Sequence, residues 1–196
     1  TVYVAVNDEM IGAISLSDEL REEAKSTIAR LRNMGLKKIL LITGDNSSAA
    51  KHVAKQLNLD EVHAEALPVD KLGVLDQTKD RPLIFVGDGV NDAPILTAAD
   101  VGVALGAKGS TAASESADMV IMVDSVGRVA TAYEIAKRTF SIARQSILIG
   151  IALSVGLMIL FATGKFSPLT GAILQEVVDV FVIFNALRAH LIQPAD

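Results

Sequence analysis

The pattern of hydrophobic and polar positions divides the chain into two parts. In the first part, short continuous apolar runs alternate with amphipathic segments, as expected of parallel strands buried on both faces between helices. The predicted strands are Glu9–Ser15, Lys38–Thr43, Leu83–Gly87, Val101–Ala104 and Met119–Val123, with a further strand-like run over Thr1–Val6. This alternation predicts a doubly wound, Rossmann-like α/β domain with a parallel sheet over residues 1–125.

Amphipathic helices are expected between these strands. The clearest follows Ser17 and Asp18, an N-cap-like pair, and ends before Gly35 as a C-cap. Its apolar face would carry Leu20, Ala24, Ile28, Leu31 and Met34. Shorter helices are predicted over Ala49–Leu57 and Lys71–Thr78. A last helix, from about Val126, has no breaker before the apolar second part, so residues 126–144 are interpreted as a stalk.

The second part contains two apolar runs, Ser146–Thr163 and Pro168–Leu187, separated by a short turn. Each is about as long as a helix needs to cross ~30 Å of hydrocarbon at ~1.5 Å per residue. We therefore predict transmembrane helices at residues 145–164 and 168–188. The basic residues flanking the runs predict that both ends of the hairpin, and the sheet domain, are cytoplasmic. A buried helical hairpin of a soluble protein is the alternative.

Composition and charge exclude several other classes of function. Hydrophobic residues make up 51% of the chain, which excludes disorder. The net charge of −5, without a basic run, gives no support for nucleic-acid binding. The absence of cysteine excludes thiolate metal sites and cysteine nucleophiles from this stretch. Because the chain enters a strand at once, we expect it to be the interior of a longer protein.

Two predicted strands end in similar polar loops. Thr43-Gly44-Asp45 follows one, and Gly87-Asp88-Gly89 follows the other, with Asn91 and Asp92 close behind. Ligands of open parallel sheets collect at the carboxyl ends of strands, and small residues there let backbone N–H groups approach a phosphate. Carboxylate and amide oxygens suit Mg²⁺. Taken alone, Asp45 is equally well explained as a turn or N-cap residue.

A longer motif makes this interpretation more specific. The sequence GDGVNDAPIL at residues 87–96, followed by ADVGVA at 99–104, closely resembles the hinge motif of P-type ATPases, whose phosphorylation domain is of the haloacid dehalogenase type. Other matching pieces come in the family's order: Asp18-Glu19-Leu20-Arg21, Thr43-Gly44-Asp45 and Pro68-Val69-Asp70-Lys71. The resemblance extends over essentially the whole chain, including the apolar hairpin.

The resemblance implies a role for each matching residue. Asp88 would coordinate the Mg²⁺ that bridges an acyl phosphate, with Asn91 and Asp92 completing that site. The remaining implied roles are phosphoryl binding by Thr43 and Gly44, proximity to nucleotide and metal for Asp45, neutralisation of phosphoryl charge by Lys71, and contact with ATP or a neighbouring domain for Asp18 and Arg21. Two alternatives stay open: Lys71 as an exposed cation at a helix start, and Asp18 as an N-cap.

Several parts of the family's machinery are missing from the sequence. The family's nucleophile is the Asp of Asp-Lys-Thr-Gly-Thr, after a strand that would precede everything seen here. The superficially similar segment Asp76–Asp80 follows a helix, so it is interpreted as a solvated helix end. The inserted ATP-binding domain and the earlier membrane helices are also missing. We therefore expect the C-terminal portion of a pump that is inactive alone and depends on upstream domains.

The second apolar run carries polar residues that need an explanation. A carboxylate in mid-membrane costs roughly 2.5–3.5 kcal/mol on insertion scales. Glu176 and Asp179 lie three residues apart, and Gln175 lies four before Asp179, so all three share one helical face. Oxygen ligands there suit a divalent transition-metal cargo or a proton relay. The alternative is a polar clamp between helices that pairs these residues with groups on helices absent from this chain.

The ending of the chain resembles the heavy-metal branch of the P-type family, whose members stop after this hairpin. Glu176 aligns with the Glu of the His-Glu-Gly pattern linked to cobalt and other divalent ions, but Gln175 replaces the His. Ser154 stands where zinc pumps carry Lys, and with Ser146 and Gly150 it forms a stripe of small residues suited to close helix packing. The hairpin therefore departs from the cobalt and zinc patterns of the branch.

Two other classes of function remain as alternatives. One is a naturally short, non-catalytic split or regulatory subunit that docks on a pump, which the missing nucleophile would fit. The other is a membrane-tethered phosphatase of the same superfamily. Retention of Lys71, Asp88, Asn91 and Asp92 favours the pump fragment, because a non-catalytic partner has no chemical need for them.

Overall fold

The computed structural model describes residues 2–7, 9–14, 19–88, 91–106 and 115–192 of the chain. The chain divides into two units, Thr1–Val126 and Gly127–Asp196. The described elements of the first unit are β1 (Val2–Val6), β2 (Glu9–Ile14), α1 (Ala24–Asn33), β3 (Leu40–Ile42), α2 (Ser47–Leu57), β4 (Glu61–His63), α3 (Pro68–Gln77), β5 (Ile84–Gly87), α4 (Ala93–Ala98), β6 (Val101–Leu105) and β7 (Met119–Ile121). The second unit contains α5 (Gly127–Ala162), α6 (Pro168–Leu187) and a 3-10 turn over Arg188–Leu191.

Parallel strands separated by helices dominate the first unit, which confirms the predicted α/β class. Strand β3 pairs in parallel with β4, and β5, β6 and β7 form a second parallel ladder in that order. The centre of the second ladder is fully buried, because Leu96 of α4 and Ala104 of β6 have no exposed surface. Phe85 and Val120 from the neighbouring strands pack against them.

The prediction that Glu9–Ser15 belongs to the parallel sheet is wrong. Strand β2 pairs antiparallel with β1, with Tyr3 opposite Ala13, and Ser15 lies outside the described residues. Only Asn7 and Asp8 connect these two strands, and a parallel crossover needs a dozen or more residues. The side chains of Met10 and Ile11 are exposed, so this hairpin does not form a buried layer.

Burial of the other parallel strands is less complete than predicted. Only β6 is buried along most of its length, whereas β3 is half-buried and β5 alternates between exposed and half-buried positions. Among the described residues, β3 pairs only with β4 and β5 only with β6, so each has one unpaired edge. Strand β4 was not predicted, since Glu61-Val62-His63 contains no apolar run.

The three helices predicted in the first unit form, but α1 begins later than predicted, and α4 was not predicted. It starts at Ala24, so Leu20 lies ahead of it, and the expected cap residues Ser17 and Asp18 lie outside the described residues. The segment before α1 is held instead by Arg21, whose carbonyl accepts from the Ala24 N–H and whose guanidinium reaches Asp124. At the other end, Gly35 adopts a φ of 99°, in agreement with its predicted role.

Three carboxylates secure the amino ends of the parallel strands. Asp60, ahead of β4, accepts the Ile39 N–H at 2.7 Å, and Asp100, ahead of β6, accepts the Leu83 N–H at 2.7 Å. In the same way Asp118, ahead of β7, accepts the Gly102 N–H at 2.8 Å. Each carboxylate therefore connects the strand that it precedes to the adjacent strand, and its role is structural.

The same contacts favour the ionised form of two of these groups. The backbone N–H of Ile39 lowers the pKa of Asp60 below its ordinary value of 3.8, with help from Arg32. The Arg81 guanidinium, together with the Leu83 N–H, lowers the pKa of Asp100. Groups with a lowered pKa in the folded state stabilise it above their unfolded-state pKa. This contribution is lost as the pH falls through the lowered value.

The second unit is a hairpin of two long apolar helices. Both α5 and α6 are long and apolar enough to cross a membrane, and their apolar windows are 6% and 0% buried. The described residues of this chain therefore leave most of the apolar surface of both helices uncovered. The stripe of small residues lies where the helices meet: a Cβ on Gly150 would lie 3.2 Å from Val182, and Asn185 donates to the Ser146 hydroxyl at 2.8 Å. This supports close packing through small residues.

Substitution of Gly102 by Ala tests the packing of α4 on β6. A Cβ at Gly102 would lie 2.3 Å from the backbone oxygen of Leu96, which cannot move without displacing α4. We expect a loss of about 1–3 kcal/mol in the free energy of unfolding, measured by thermal unfolding followed by circular dichroism. The control is Gly73→Ala in α3, where nothing lies within 4 Å of the new Cβ. Equal stability of the two variants would contradict this packing.

Candidate functional site

The candidate site is formed by the loops at the carboxyl ends of β3 and β5. Thr43, Gly44 and Asp45 follow β3 directly, and Asp88 follows Gly87, the last residue of β5. Gly89 and Val90, in the middle of the second motif, lie outside the described residues. Both loops thus occupy the end of the parallel ladders where open α/β sheets bind ligands.

Hydrogen bonds hold the first loop in one conformation. The Thr43 hydroxyl donates to the Asp45 carboxylate at 2.7 Å and accepts from the Asp45 N–H at 3.1 Å. Gly44 is exposed, and a Cβ there would lie 3.8 Å from the Ala66 oxygen, an ordinary contact. The local packing therefore does not by itself require glycine at this position.

A residue that the sequence did not single out also supports the first loop. Glu65, in the connection after β4, has a φ of 56°, which is uncommon for a residue other than glycine. Its N–H donates to the Asp45 carbonyl at 2.9 Å, and its carboxylate accepts from the Ser47 N–H at 3.2 Å. Glu65 thereby connects the loop after β3 to the loop after β4. No local pattern in the sequence indicates this role.

Asp92, which follows the second loop, forms a nearly buried ion pair with a lysine of α3. The Lys71 ammonium of α3 donates to the Asp92 carboxylate at 2.7 Å, and the two side chains are only 19% and 9% exposed. Gly87 lies directly against this pair, since a Cβ there would be 2.6 Å from the second carboxylate oxygen of Asp92. Glycine at the end of β5 is therefore required by the position of Asp92. The alternative of Lys71 as an exposed cation does not agree with this burial.

The donor atoms of the second loop fit a magnesium ion. Asp88 and Asn91 are exposed, while Asp92 is buried, so two carboxylates and an amide lie within five residues. Among the described residues there is no cluster of three or more His, Cys, Asp or Glu that could hold a metal. Magnesium does not need one, because it is usually bound by one or two carboxylates together with waters and substrate phosphates.

The two remaining residues for which a nucleotide contact was predicted are Asp18 and Arg21. Asp18 lies outside the described residues. Arg21 directs both of its side-chain hydrogen bonds to Asp124 in the segment after β7, one to the carbonyl at 2.9 Å and one to the carboxylate at 2.7 Å. Arg21 therefore secures the segment before α1, and a contact with nucleotide stays a prediction.

The polar residues of α6 form a network with α5. Gln175 donates to the Ser154 hydroxyl of α5 at 3.1 Å and to the Asp179 carboxylate at 3.0 Å. Gln175 thus forms an interhelical clamp within the hairpin, whereas the alternative given by the sequence placed the partners of such a clamp on helices outside this chain. Glu176 is exposed on the surface of α6. The clamp occupies Gln175, but both carboxylates keep oxygens that could bind a cation.

Comparisons with known proteins agree with this geometry. Residues 1–100 match the family described as haloacid dehalogenase-like hydrolase. The cadmium, zinc and cobalt-transporting ATPase of Bacillus subtilis is 40% identical over 193 residues, which are 95% of this chain and 27% of that protein. The manganese-exporting P-type ATPase of Mycobacterium bovis is 37% identical over 189 residues, with 95% and 26% covered.

A solved structure matches both units of the chain. The crystal structure of a zinc-transporting PIB-type ATPase in its E2.Pi state has a TM-score of 0.85 and 34% identity, covering 95% of this chain and 31% of that one. The chain spans about a quarter of the length of the curated relatives that it matches.

Removal of one partner from the Lys71–Asp92 pair tests its contribution to the fold. Lys71→Met leaves a carboxylate that is 9% exposed without its counter-charge. Breaking a buried pair in this way costs about 3–5 kcal/mol, and we expect the lower end of this range in thermal unfolding. The double variant Lys71→Met/Asp92→Asn should recover most of the loss. Lys79→Met, at an exposed position two residues after the end of α3, is the control. An equal loss there would contradict the pairing.

Proposed function

The chain belongs to the haloacid dehalogenase-like hydrolase family, and on that premise we propose that it is the C-terminal portion of an ATP-driven heavy-metal pump with an aspartyl-phosphate intermediate. The observation that carries the proposal is that the similarity to metal-transporting ATPases continues through both units, over 95% of the chain. We assign residues 1–125 to the phosphorylation domain and 126–144 to a stalk. Residues 145–164 and 168–188 are assigned to transmembrane helices.

In this proposal the second loop holds magnesium. Asp88 and Asp92 would supply carboxylate oxygens, and Asn91 would contribute its amide. The bound ion would neutralise charge on the phosphoryl group as it transfers from ATP to the enzyme. The required oxygens are present, and Gly87 leaves the space in which the Asp92 carboxylate sits.

The transferred phosphoryl group would lie between the two loops. Lys71 carries three N–H donors, and Asp92 accepts one of them, so two remain for phosphoryl oxygens. The ion pair with Asp92 thus acts as a support that fixes the direction of the ammonium. Thr43 would need to redirect its hydroxyl from Asp45 toward the phosphoryl group, while the Gly44 N–H approaches it from the backbone.

An upstream strand would complete the sheet and deliver the nucleophile. Strands β3 and β5 each have one unpaired edge among the described residues, and Ile84 and Val86 of β5 remain 39% and 38% exposed. Unpaired edges with apolar side chains are suited to receiving another strand. A parallel strand paired there would place an Asp at its own carboxyl end beside the Thr43 and Asp88 loops. We therefore propose that the chain alone does not turn over ATP.

The hairpin would contribute to the path of the transported ion. Glu176 and Asp179 are carboxylates in a mostly apolar helix that would lie in the membrane, where ionisable groups are costly and usually functional. Oxygen ligands favour a divalent transition-metal cation over Cu⁺. The names of the relatives include several different divalent metals, so the proposal covers that class and no single ion.

The proposed orientation rests on charge. Lys137, Arg138 and Arg144 precede the first apolar run, and Arg188 follows the second. Cytoplasmic loops carry an excess of Lys and Arg. Both ends of the hairpin, and with them the sheet unit, would therefore face the cytoplasm. The short turn around Lys165 would face the opposite side.

The alternative of a naturally short, non-catalytic subunit is not favoured. A docking partner would need the fold but not the chemistry of the second loop. The buried ion pair, the glycine pressed against it and the exposed Asp88 form an arrangement that a non-catalytic chain has no reason to keep.

Substitution of Asp88 tests the proposed magnesium site in the full-length protein. Asp88→Asn removes a carboxylate charge with little change in shape. Loss of one group that stabilises transition-state charge costs about 10²–10³ in rate, so we expect phosphoenzyme formation from labelled ATP to fall by at least that factor. Asp76→Asn, at an exposed position of α3, is the matched control. Normal phosphorylation of the Asp88 variant at ordinary Mg²⁺ would refute the assignment.

Substitutions in α6 separate a cargo site from a structural clamp. Removal of a group that only orients a metal ligand lowers metal affinity or activity about 10–100-fold. Glu176→Gln and Asp179→Asn should therefore reduce metal-stimulated ATPase activity by at least that factor. Back-phosphorylation by inorganic phosphate should survive. Ser154→Ala breaks the clamp to Gln175 but keeps both carboxylates, and it should retain most of the stimulation. If Ser154→Ala is as damaging as Asp179→Asn, the clamp is the main role.

A further inference from the structure

A cavity of about 550 Å³ that is open to solvent lies within the second unit, where the middle of α5 approaches the 3-10 turn after α6. Its lining combines two kinds of side chain. Arg138, Ser141, Gln145 and Arg188 supply polar groups, and Ile142, Leu191 and Ile192 supply apolar surface. None of the residues that line it is acidic. The cavity belongs to neither the sheet site nor the polar network of α6.

The position of the cavity along the hairpin indicates its surroundings. Its lining residues on α5 end at Gln145, directly before the apolar run that begins at Ser146. On the other side they begin at Arg188, directly after the apolar helix α6. If the hairpin spans a membrane, as proposed above, the cavity therefore lies at the depth of the lipid headgroups.

The two guanidinium groups give the cavity a preference for anions. Arg188 donates to the neutral side chain of Asn185 at 3.1 Å, which leaves most of its five N–H donors available. Arg138 pairs with Glu134 at 2.6 Å, but its side chain is still 53% exposed. Arginine binds phosphate through two parallel hydrogen bonds, and basic pockets beside transmembrane helices suit anionic headgroups.

We propose that this cavity binds the phosphate of an anionic glycerophospholipid from the leaflet that contains the polar ends of the hairpin. Arg138 and Arg188 would hold the phosphate, and Ser141 and Gln145 would bond the glycerol oxygens. The aliphatic side chains would cover the first carbons of the acyl chains. This apolar share of the lining favours a lipid over free phosphate, and it gives the pump a lipid contact outside the catalytic and cargo sites.

Native mass spectrometry of the full-length protein in detergent tests the proposal, with phosphatidylglycerol and phosphatidylcholine as probes. Because each basic group near a charged lipid surface contributes about 1 kcal/mol, Arg138→Gln/Arg188→Gln should weaken retention of phosphatidylglycerol about tenfold or more. The matched control is Arg128→Gln/Arg144→Gln, which makes the same charge change at exposed positions of α5 outside the cavity. Equal retention of phosphatidylglycerol by these two double variants, or an equal preference for both lipids in the wild type, would overturn the site.

A second measurement uses the wild-type protein, so it does not depend on whether a variant folds. It also distinguishes the phosphate of a lipid from free inorganic phosphate. Phosphatidylglycerol should slow modification of Arg188 in the wild-type protein by an arginine-specific dicarbonyl reagent, and inorganic phosphate should not. Equal protection by inorganic phosphate would indicate a free-anion site and overturn the lipid assignment. Labelling of Lys165 by a membrane-impermeant amine reagent from the side of the membrane that carries the sheet unit would instead overturn the membrane hairpin itself. Labelling of Lys165 from the opposite side only, without lipid protection of Arg188, would overturn only the lipid site.

Discussion

The ion pair between Lys71 and Asp92 is the contact on which the candidate site depends. Lys71 belongs to the helix that follows β4, and Asp92 follows the loop at the end of β5, so the pair connects the two parallel ladders. Since both charges are largely buried, neither can be changed alone without leaving an uncompensated charge. Gly87 is constrained by the same contact, because only a residue without a Cβ fits against the Asp92 carboxylate. At this end of the sheet, the ion pair, the packing around it and the glycine at position 87 therefore depend on one another.

Carboxylates at the two ends of the parallel strands have different roles. At the amino ends, Asp60 and Asp100 accept backbone N–H groups and pair with arginines, which lowers the pKa of each and stabilises the strand register. At the carboxyl end, Asp88 is exposed and remains available for a ligand. The same residue type thus supports the sheet at one end and offers chemistry at the other. The contacts of each carboxylate decide between the two roles, since Asp92, at the same carboxyl end as Asp88, is held in its buried pair with Lys71.

The two helices of the hairpin pack against each other through small residues and hydrogen bonds. In a membrane, helices gain little from burying apolar surface against each other, so small residues and interhelical hydrogen bonds take over. Gly150 allows close approach of Val182, and the Ser146 and Ser154 hydroxyls accept from Asn185 and Gln175. Of the two proposed cargo carboxylates, Asp179 accepts a hydrogen bond from Gln175 of this clamp, and Glu176 is next to Gln175 in the sequence. The packing of the hairpin and the polarity of its interior are therefore linked, which is a reason for testing Ser154 and Asp179 together.

The sequence by itself determined the features that depend on local pattern. Continuous apolar runs located β5, β6 and β7, and the second long apolar run, Pro168–Leu187, coincides with α6, although the helix was predicted to reach residue 188. The motif at residues 87–96 identified the family and the loop that carries the candidate chemistry. These features are local because strand and helix periodicity, caps and motif spacing are all properties of neighbouring residues.

The tertiary structure decided which residues distant in the sequence contact each other. These contacts are Lys71 with Asp92, Arg21 with Asp124, Gln175 with Ser154, and Glu65 with the Asp45 loop. It also decided that Glu61–His63 is a strand and that β1 and β2 form an antiparallel hairpin, since pairing with a neighbouring strand can override a weak local pattern.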